Sequence, residues 1–290
     1  MSTQQVSPHT GRTSADRPRL PWPLRVLLCL PALLIALYVP MIGISVTPLG
    51  AMMAENTTRA ALINIAMCAI VCILAVLVTM ALMRLVDRRP MRETGWRWTR
   101  SSGWLLGAGV GLAALIVVST TQLLAALGHL ERVEVPWAEL GVAAVAVTIA
   151  TRLAQAFLLQ GIPEELLFRG YLMQTLRERP RLALVVSTVF FGVIHVVSTG
   201  GQANLAERFV YLATPTGFGF LAGVLALRLR SLWPAVGIHA GFHVGNLITT
   251  LTGVNTSDPT AWVGLGLVFA AAGLVALRGI DWSRPVSLER

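Results

Sequence analysis

The stretch LGVAAVAVTIATRLAQAFLLQGIPEELLFRGYLMQTLRE, residues 140–178, decides how the chain is read. Its first half is apolar enough to cross a hydrocarbon core of roughly 30 Å, which takes about 20 residues of helix. Its second half sets Glu164, Glu165 and Arg169 into the same apolar run. An ionisable side chain at membrane depth costs roughly 2.5–3.5 kcal/mol on insertion scales, so such a residue marks a functional site by default. The stretch is also too long for one straight span. Gly161 and Pro163 mark the expected kink, because proline lacks an N–H and disrupts the helix before it. A fresh helix starting at Pro163 would put both glutamates in its first turn, where the helix dipole favours anions.

The rest of the chain has the same character. Of its 290 residues 55% are hydrophobic and 13% charged, with a mean hydropathy of +0.69, whereas a soluble domain is about 25% charged. Eight segments are long and apolar enough to span: 24–46, 60–83, 103–127, 140–160, 181–199, 209–227, 231–252 and 260–277. The expected fold is all-α, a polytopic transmembrane helical bundle of about eight spans. Residues 1–22 read as a disordered cytoplasmic tail, being polar and proline-containing. Residues 23–278 are expected to form one integral membrane bundle, and 279–290 a second cytoplasmic tail. A signal peptide has an apolar core of only about 7–15 residues, and the run after Arg25 is longer, so an anchor is favoured.

The net charge of +9 raises the question of nucleic acid, and its placement answers it. All 23 basic residues are arginine. If the N-terminus is cytoplasmic, inner segments collect groups such as Arg84, Arg88, Arg89, Arg92, Arg97 and Arg100, while outer loops hold only Arg59, Arg132 and Arg208. This is the positive-inside bias, and with an even span count it puts both termini in the cytoplasm. The charge therefore reads as topology and as attraction to a bilayer with anionic headgroups, with no nucleic-acid partner. The absence of lysine is what a GC-rich genome produces, and the expected location is a bacterial plasma membrane, as a multi-pass protein. Cys29, Cys68 and Cys72 fall within spans, where small apolar packing is expected rather than a disulfide or metal.

Of the acidic residues, only Glu164 and Glu165 belong to apolar context, and of the histidines, His195, His239 and His243 fall within spans. At about 1.5 Å per residue, His195 lies roughly 21 Å in from Arg181, His239 roughly 12 Å and His243 roughly 18 Å in from Ser231, and Glu164 about 20 Å from Arg177. These depths allow the groups to meet and to open toward the cytoplasm. Glu165 and Arg169 stand four apart, the spacing for an intrahelical ion pair, while Glu164 is rotated about 100° away. Glu165 with Arg169 then holds the segment, and Glu164 remains available for chemistry. Phe191 shares a face with His195, and His239 with His243. Each of these features taken alone has a packing explanation; their shared depth favours a common site.

Glu164-Glu165-x-x-x-Arg169, then Phe191-x-x-x-His195, then a histidine motif at His239, together resemble the CPBP family of intramembrane proteases, which includes CAAX prenyl-protein endopeptidases and bacteriocin-processing relatives. Gly170 and the Ser231-Leu232-Trp233-Pro234 entry to the third motif are further echoes. The resemblance covers residues 140–252 and implies that they form the catalytic core, with Glu164, His195 and His239 catalytic. The family's third motif usually continues to Asn or Asp four residues on; here that position is His243, with Asn246 two helical turns after His239.

The residue types suit hydrolysis of a peptide or membrane-protein substrate near the cytoplasmic side. Glu164 is the expected general base and His195 orients the same water. His239 and His243 face the carbonyl oxygen and donate to it as charge develops, with Glu165, Arg169, Phe191 and Asn246 in support. A zinc ion held by Glu164, His195 and His239 would be a second route, and the resemblance leaves both open. A non-proteolytic immunity or scaffolding protein of the same fold is the alternative, with His243 as a sign of lost activity. Gly219 and Gly223 have small-x-x-x-small spacing and are expected to allow close helix approach. Arg152 has no assigned partner: lipid phosphate, substrate carboxylate and snorkelling are all open.

Overall fold

The computed structural model describes residues 18–53, 57–135 and 141–288. Most of the expected N-terminal tail, residues 1–17, lies outside the described residues. Eight long helices account for the fold: α1 (Trp22–Ser45), α2 (Thr58–Asp87), α3 (Ser102–Ala126), α4 (Val142–Thr175), α5 (Pro180–Val197), α6 (Leu205–Leu229), α7 (Trp233–Leu251) and α8 (Pro259–Ala276). All but α7 are long and apolar enough to cross a membrane. The protein is thus a multi-pass all-helical membrane bundle, with no strand among the described residues beyond one isolated bridge, Arg132 with Val254.

α7 is the instructive exception. It carries two histidines, an asparagine and three glycines, and every residue from 231 to 242 is buried. It faces protein, not lipid, so it does not need a lipid-compatible surface. Gly237, Gly241 and Gly245 form one stripe that lies against α3: a Cβ at Gly237 would sit 2.4 Å from the Leu106 carbonyl oxygen, and one at Gly241 2.5 Å from that of Val110. Lipid tails supply no hydrophobic drive between helices, so close backbone approach through small residues is what holds such a pair together. His239 and His243 stand two positions after Gly237 and Gly241, about 200° round the helix. The face that grips α3 therefore turns both imidazoles toward α4 and α6.

α4 resolves its excess length differently from the expectation. No fresh helix begins at Pro163: Gly161 keeps helical angles (φ −55, ψ −55), and the chain stays helical through the glutamates. Two wide π-type turns, Gln155–Gly161 and Leu166–Leu172, flank the proline. Such bulges absorb the donor that proline lacks and often occur at functional sites.

The two ends of the bundle differ. At one end Arg25 pairs with buried Asp87 (2.9 Å), Arg89 donates to the Gln174 carbonyl (2.9 Å), Arg177 meets Glu93 (3.1 Å) and the Trp233 indole donates to the Arg97 carbonyl (2.8 Å). Arg89 also pairs with Glu93, and burial lowers its pKa. The segment after α8 closes this end, with Val286 and Leu288 buried and the Val286 N–H donating to the Arg177 carbonyl (2.9 Å). At the other end, with few arginines, the α3–α4 and α7–α8 connections are joined by Val133 N–H to the Gly253 carbonyl (2.8 Å) and Asn255 N–H to that of Glu131 (3.0 Å).

Candidate active site

The four residues expected to be catalytic, Glu164, His195, His239 and His243, line one cavity of about 600 Å³ between α1, α4, α5, α6, α7 and α8. Asn246 lines it as well, while Glu165, Arg169 and Phe191 lie behind its wall. The wall is built from the ion pair outward. Arg169 is fully buried and donates from Nη1 to Glu165 Oε1 (2.9 Å) and from Nη2 to the Gly219 carbonyl (2.5 Å). Its guanidinium carbon stands 4.5 Å from the Phe191 ring centroid. A Cβ at Gly219 would come within 3.0 Å of Arg169 Nη2 and 2.8 Å of Phe191 Cδ1, so glycine there makes room for the arginine. Close approach was the expectation for Gly219 and Gly223; what is added is that the gap holds a cation.

Two hydrogen bonds fix the imidazoles. His195 Nδ1 lies 2.7 Å from the Phe191 carbonyl oxygen, which can only accept, so Nδ1 carries the proton. In the neutral ring Nε2 is then a lone pair, and it faces Glu164 Oε2 at 3.8 Å. His239 Nδ1 donates to Glu165 Oε1 at 3.0 Å. One carboxylate oxygen thus joins Arg169 to His239, a link that residue spacing within α4 does not reveal. It also alters the expected role of His239: its Nε2 accepts when neutral and donates to an oxyanion only as imidazolium, with Glu165 as counter-ion. His243 stacks on His239 (5.4 Å between centroids) and touches Phe242, with no hydrogen bond to a described residue, so it can donate in its neutral form. Asn246 commits its amide N–H to the Phe242 carbonyl (3.1 Å).

Glu164 is set apart from its neighbour in sequence. It is 7% exposed, and its Oε2 has no hydrogen-bond partner among the described residues. A buried polar atom without a partner costs about 1–3 kcal/mol, and such atoms persist where function requires them. Sequence reading missed Tyr211 and Phe218, which also line the cavity. Phe218 packs 5.1 Å from the His239 ring. No local pattern singles out Tyr211, whereas the glycines on either side of Phe218 were a signal of close contact. Arg152 reaches Gln155 on its own helix (3.3 Å) and does not line the cavity.

A zinc site does not fit these residues. Among the described residues no group of three or more His, Cys, Asp or Glu side chains is arranged to hold a metal ion. Glu164 Oε2 and His195 Nε2 stand 3.8 Å apart, but no third donor among the described residues joins them, so a metalloprotease is not supported.

The direction of opening also departs from expectation. The lining comes from the second half of α1 (Tyr38, Met41), the end of α5 and its following loop (Val197–Gly200), the first half of α6 (Tyr211), and the loop before α8 (Thr256, Ser257). All belong to the arginine-poor end. The depth estimates placed the groups together correctly, but depth alone does not say which end is closed. The expected opening toward the arginine-rich end is blocked, because every residue of α4 from 163 to 175 is buried.

Fold and cavity together define a polytopic membrane protein with a glutamate–histidine cluster inside its bundle. Residues 145–245 match the model of the Rce1-like family, described as type II CAAX prenyl endopeptidase Rce1-like. That segment runs from α4 into α7, contains Glu164, His195, His239 and His243, and is consistent with the CPBP family that the motifs resemble. The match supports a CAAX-type peptidase at the general level. No curated protein and no solved structure matches the chain.

Proposed function

We propose that this protein is an intramembrane endopeptidase in which Glu164 activates a water for attack on a peptide carbonyl. The observation that carries this reading is the pair Glu164 Oε2 and His195 Nε2, 3.8 Å apart across the cavity, with the carboxylate oxygen unpartnered. That separation is one a single water oxygen can bridge at ordinary hydrogen-bond distances of about 2.7–3.0 Å once the Glu164 side chain turns Oε2, shielded here, to the cavity. Glu164 takes one water proton and His195 Nε2 accepts the other as a hydrogen bond. The hydroxide adds to the carbonyl carbon, and the oxyanion develops toward His243 and the His239–Glu165 pair. The C–N bond then breaks as Glu164 passes its proton to the leaving amine, giving a new amine and a new carboxylic acid, which loses the second water proton to solvent to become the carboxylate. Glu165, Arg169 and Phe191 position His239 and His195.

In the bilayer the arginine-rich end faces the cytoplasm by the positive-inside rule and meets anionic headgroups there. The test is cleavage of membrane peptides by purified wild type, Glu164→Gln and His195→Ala, read as new peptide termini by mass spectrometry. Loss of turnover of about 10²–10⁴-fold is expected for Glu164→Gln. Unchanged turnover in both variants would reject the assignment.

A further inference from the structure

Two cavities of similar size lie at opposite ends of the bundle, and only one holds the glutamate–histidine cluster. The cavity at the arginine-rich end, about 630 Å³, is bounded by Arg177, Arg228, Arg230 and the segment 279–287, and none of the motif residues lines it. Between it and the cluster the bundle is solid: Phe168, Tyr171, Leu172 and Met173 of α4, Val224 of α6, and Leu232 and Val236 of α7 are all fully buried. Arg169 and Glu165, also fully buried, complete the floor. Toward the other end the packing loosens. His195 stands two residues from the end of α5, and Thr199 and Ser257, in the adjacent loops, are exposed.

The arginines fix what that end is. Among the described residues, the loops and helix ends at the cavity's end carry Arg59, Arg132 and Arg208, and the same half of α4 carries Arg152, against groups such as Arg84, Arg88, Arg89, Arg92, Arg97 and Arg100 at the other end. The lipid-facing topology signal and the opening of the cavity thus point in opposite directions.

We infer that the site is served from the extracytoplasmic face, and that its substrates are peptide segments displayed there, the outer juxtamembrane parts of membrane-anchored or exported polypeptides, rather than tails presented by cytosolic proteins. This rests on the hydrolase reading for the word substrate, but access to the cavity is a separate property and is measured separately. A peptide reaching Glu164 from the cytoplasm would have to pass a packed layer that includes a buried ion pair. One entering past Thr199 and Ser257 meets the cavity directly. The lining at that mouth mixes Tyr38, Met41 and Trp262 with Ser198, Thr199 and Thr256, which suits a segment that is part apolar and part backbone-exposed.

The experiment has two arms. Ser257→Cys and, independently, Thr199→Cys are labelled with a membrane-impermeant maleimide in intact spheroplasts, with Ser101→Cys marking the arginine-rich end; the native cysteines are buried. Labelling of Ser257→Cys and Thr199→Cys in intact spheroplasts, and of Ser101→Cys only after permeabilisation, is expected. The reverse pattern overturns the inference. In the second arm a pool of fluorophore–quencher peptides of randomised sequence is added to spheroplasts and to sealed inverted vesicles, with Glu164→Gln membranes as background. Glu164-dependent hydrolysis is expected in spheroplasts and lost in inverted vesicles. Hydrolysis confined to inverted vesicles overturns the inference while leaving the hydrolase intact. Absence of Glu164-dependent hydrolysis on both sides refutes the hydrolase, and the labelling pattern alone then decides the access route.

Discussion

Glu164 and Glu165 are adjacent, equally acidic and both buried, yet the structure assigns them opposite energetic roles, and an isosteric pair of variants separates them. In Glu165→Gln the amide oxygen can still accept from Arg169 Nη1 and His239 Nδ1, which lie 2.9 and 3.0 Å from Glu165 Oε1. Only the charge is lost. Arg169 is then a cation with no exposure and no ionised partner in contact, and removing one member of a buried pair costs about 3–5 kcal/mol. Glu165→Gln is therefore expected to unfold at markedly lower temperature, and to lose turnover as well because His239 loses its counter-ion. In Glu164→Gln the reverse holds. A carboxylate whose Oε2 has no partner becomes a neutral amide of the same shape, so stability stays level or rises while turnover falls about 10²–10⁴-fold. Thermal unfolding in detergent, followed by the fluorescence of the 8 tryptophans, gives the first quantity, and peptide cleavage the second. If Glu165→Gln is as stable as wild type, or Glu164→Gln is destabilised to the same degree, the division of labour between the two glutamates is wrong.

Other outcomes follow from the same geometry. His243→Ala should lower kcat about 10²–10³-fold, as loss of an oxyanion donor does, and His243→Asn should recover most of it, since an amide N–H can occupy the same place; equal loss in both variants would rule out hydrogen-bond donation. Gly241→Val should abolish folding of the α3–α7 pair, because even a Cβ there would lie 2.5 Å from the Val110 carbonyl oxygen, and size-exclusion chromatography would show aggregation in place of a single peak. Incubation with a chelator should leave cleavage unchanged, since no three donors converge on a metal position among the described residues; loss of turnover reversed by zinc would contradict this.

Much of the architecture is legible in the letters because the bilayer imposes a length and a polarity on each helix. Seven of the eight expected spans agree with their helices to within a few residues, whereas the expected 140–160 stops well short of α4, which runs to Thr175; the i, i+4 spacing of Glu165 and Arg169 foretells a pair that the structure contains. The length of 140–178 signalled an irregularity, but its form, two π-type turns instead of a new helix at Pro163, depends on how the backbone re-satisfies its donors. The Glu165–His239 bond joins residues 74 apart in sequence and has no local signature. The stripe Gly237, Gly241 and Gly245 was visible as letters, but its consequence, that the two histidines face away from α3, appears only once the partner helix is known. The direction of the cavity was misread for a related reason: rise per residue gives depth along each helix, while closure depends on which half of each helix is packed on all sides.

The central claim is that Glu164 acts on water and not on the peptide directly. A single turnover in ¹⁸O-labelled water, with enzyme in excess over peptide, tests it by mass spectrometry of both product and enzyme. One labelled oxygen in the new carboxylate of the product, with the Glu164-containing enzyme fragment unlabelled, is the predicted result. Label appearing in Glu164 would show a covalent acyl intermediate and would contradict the account.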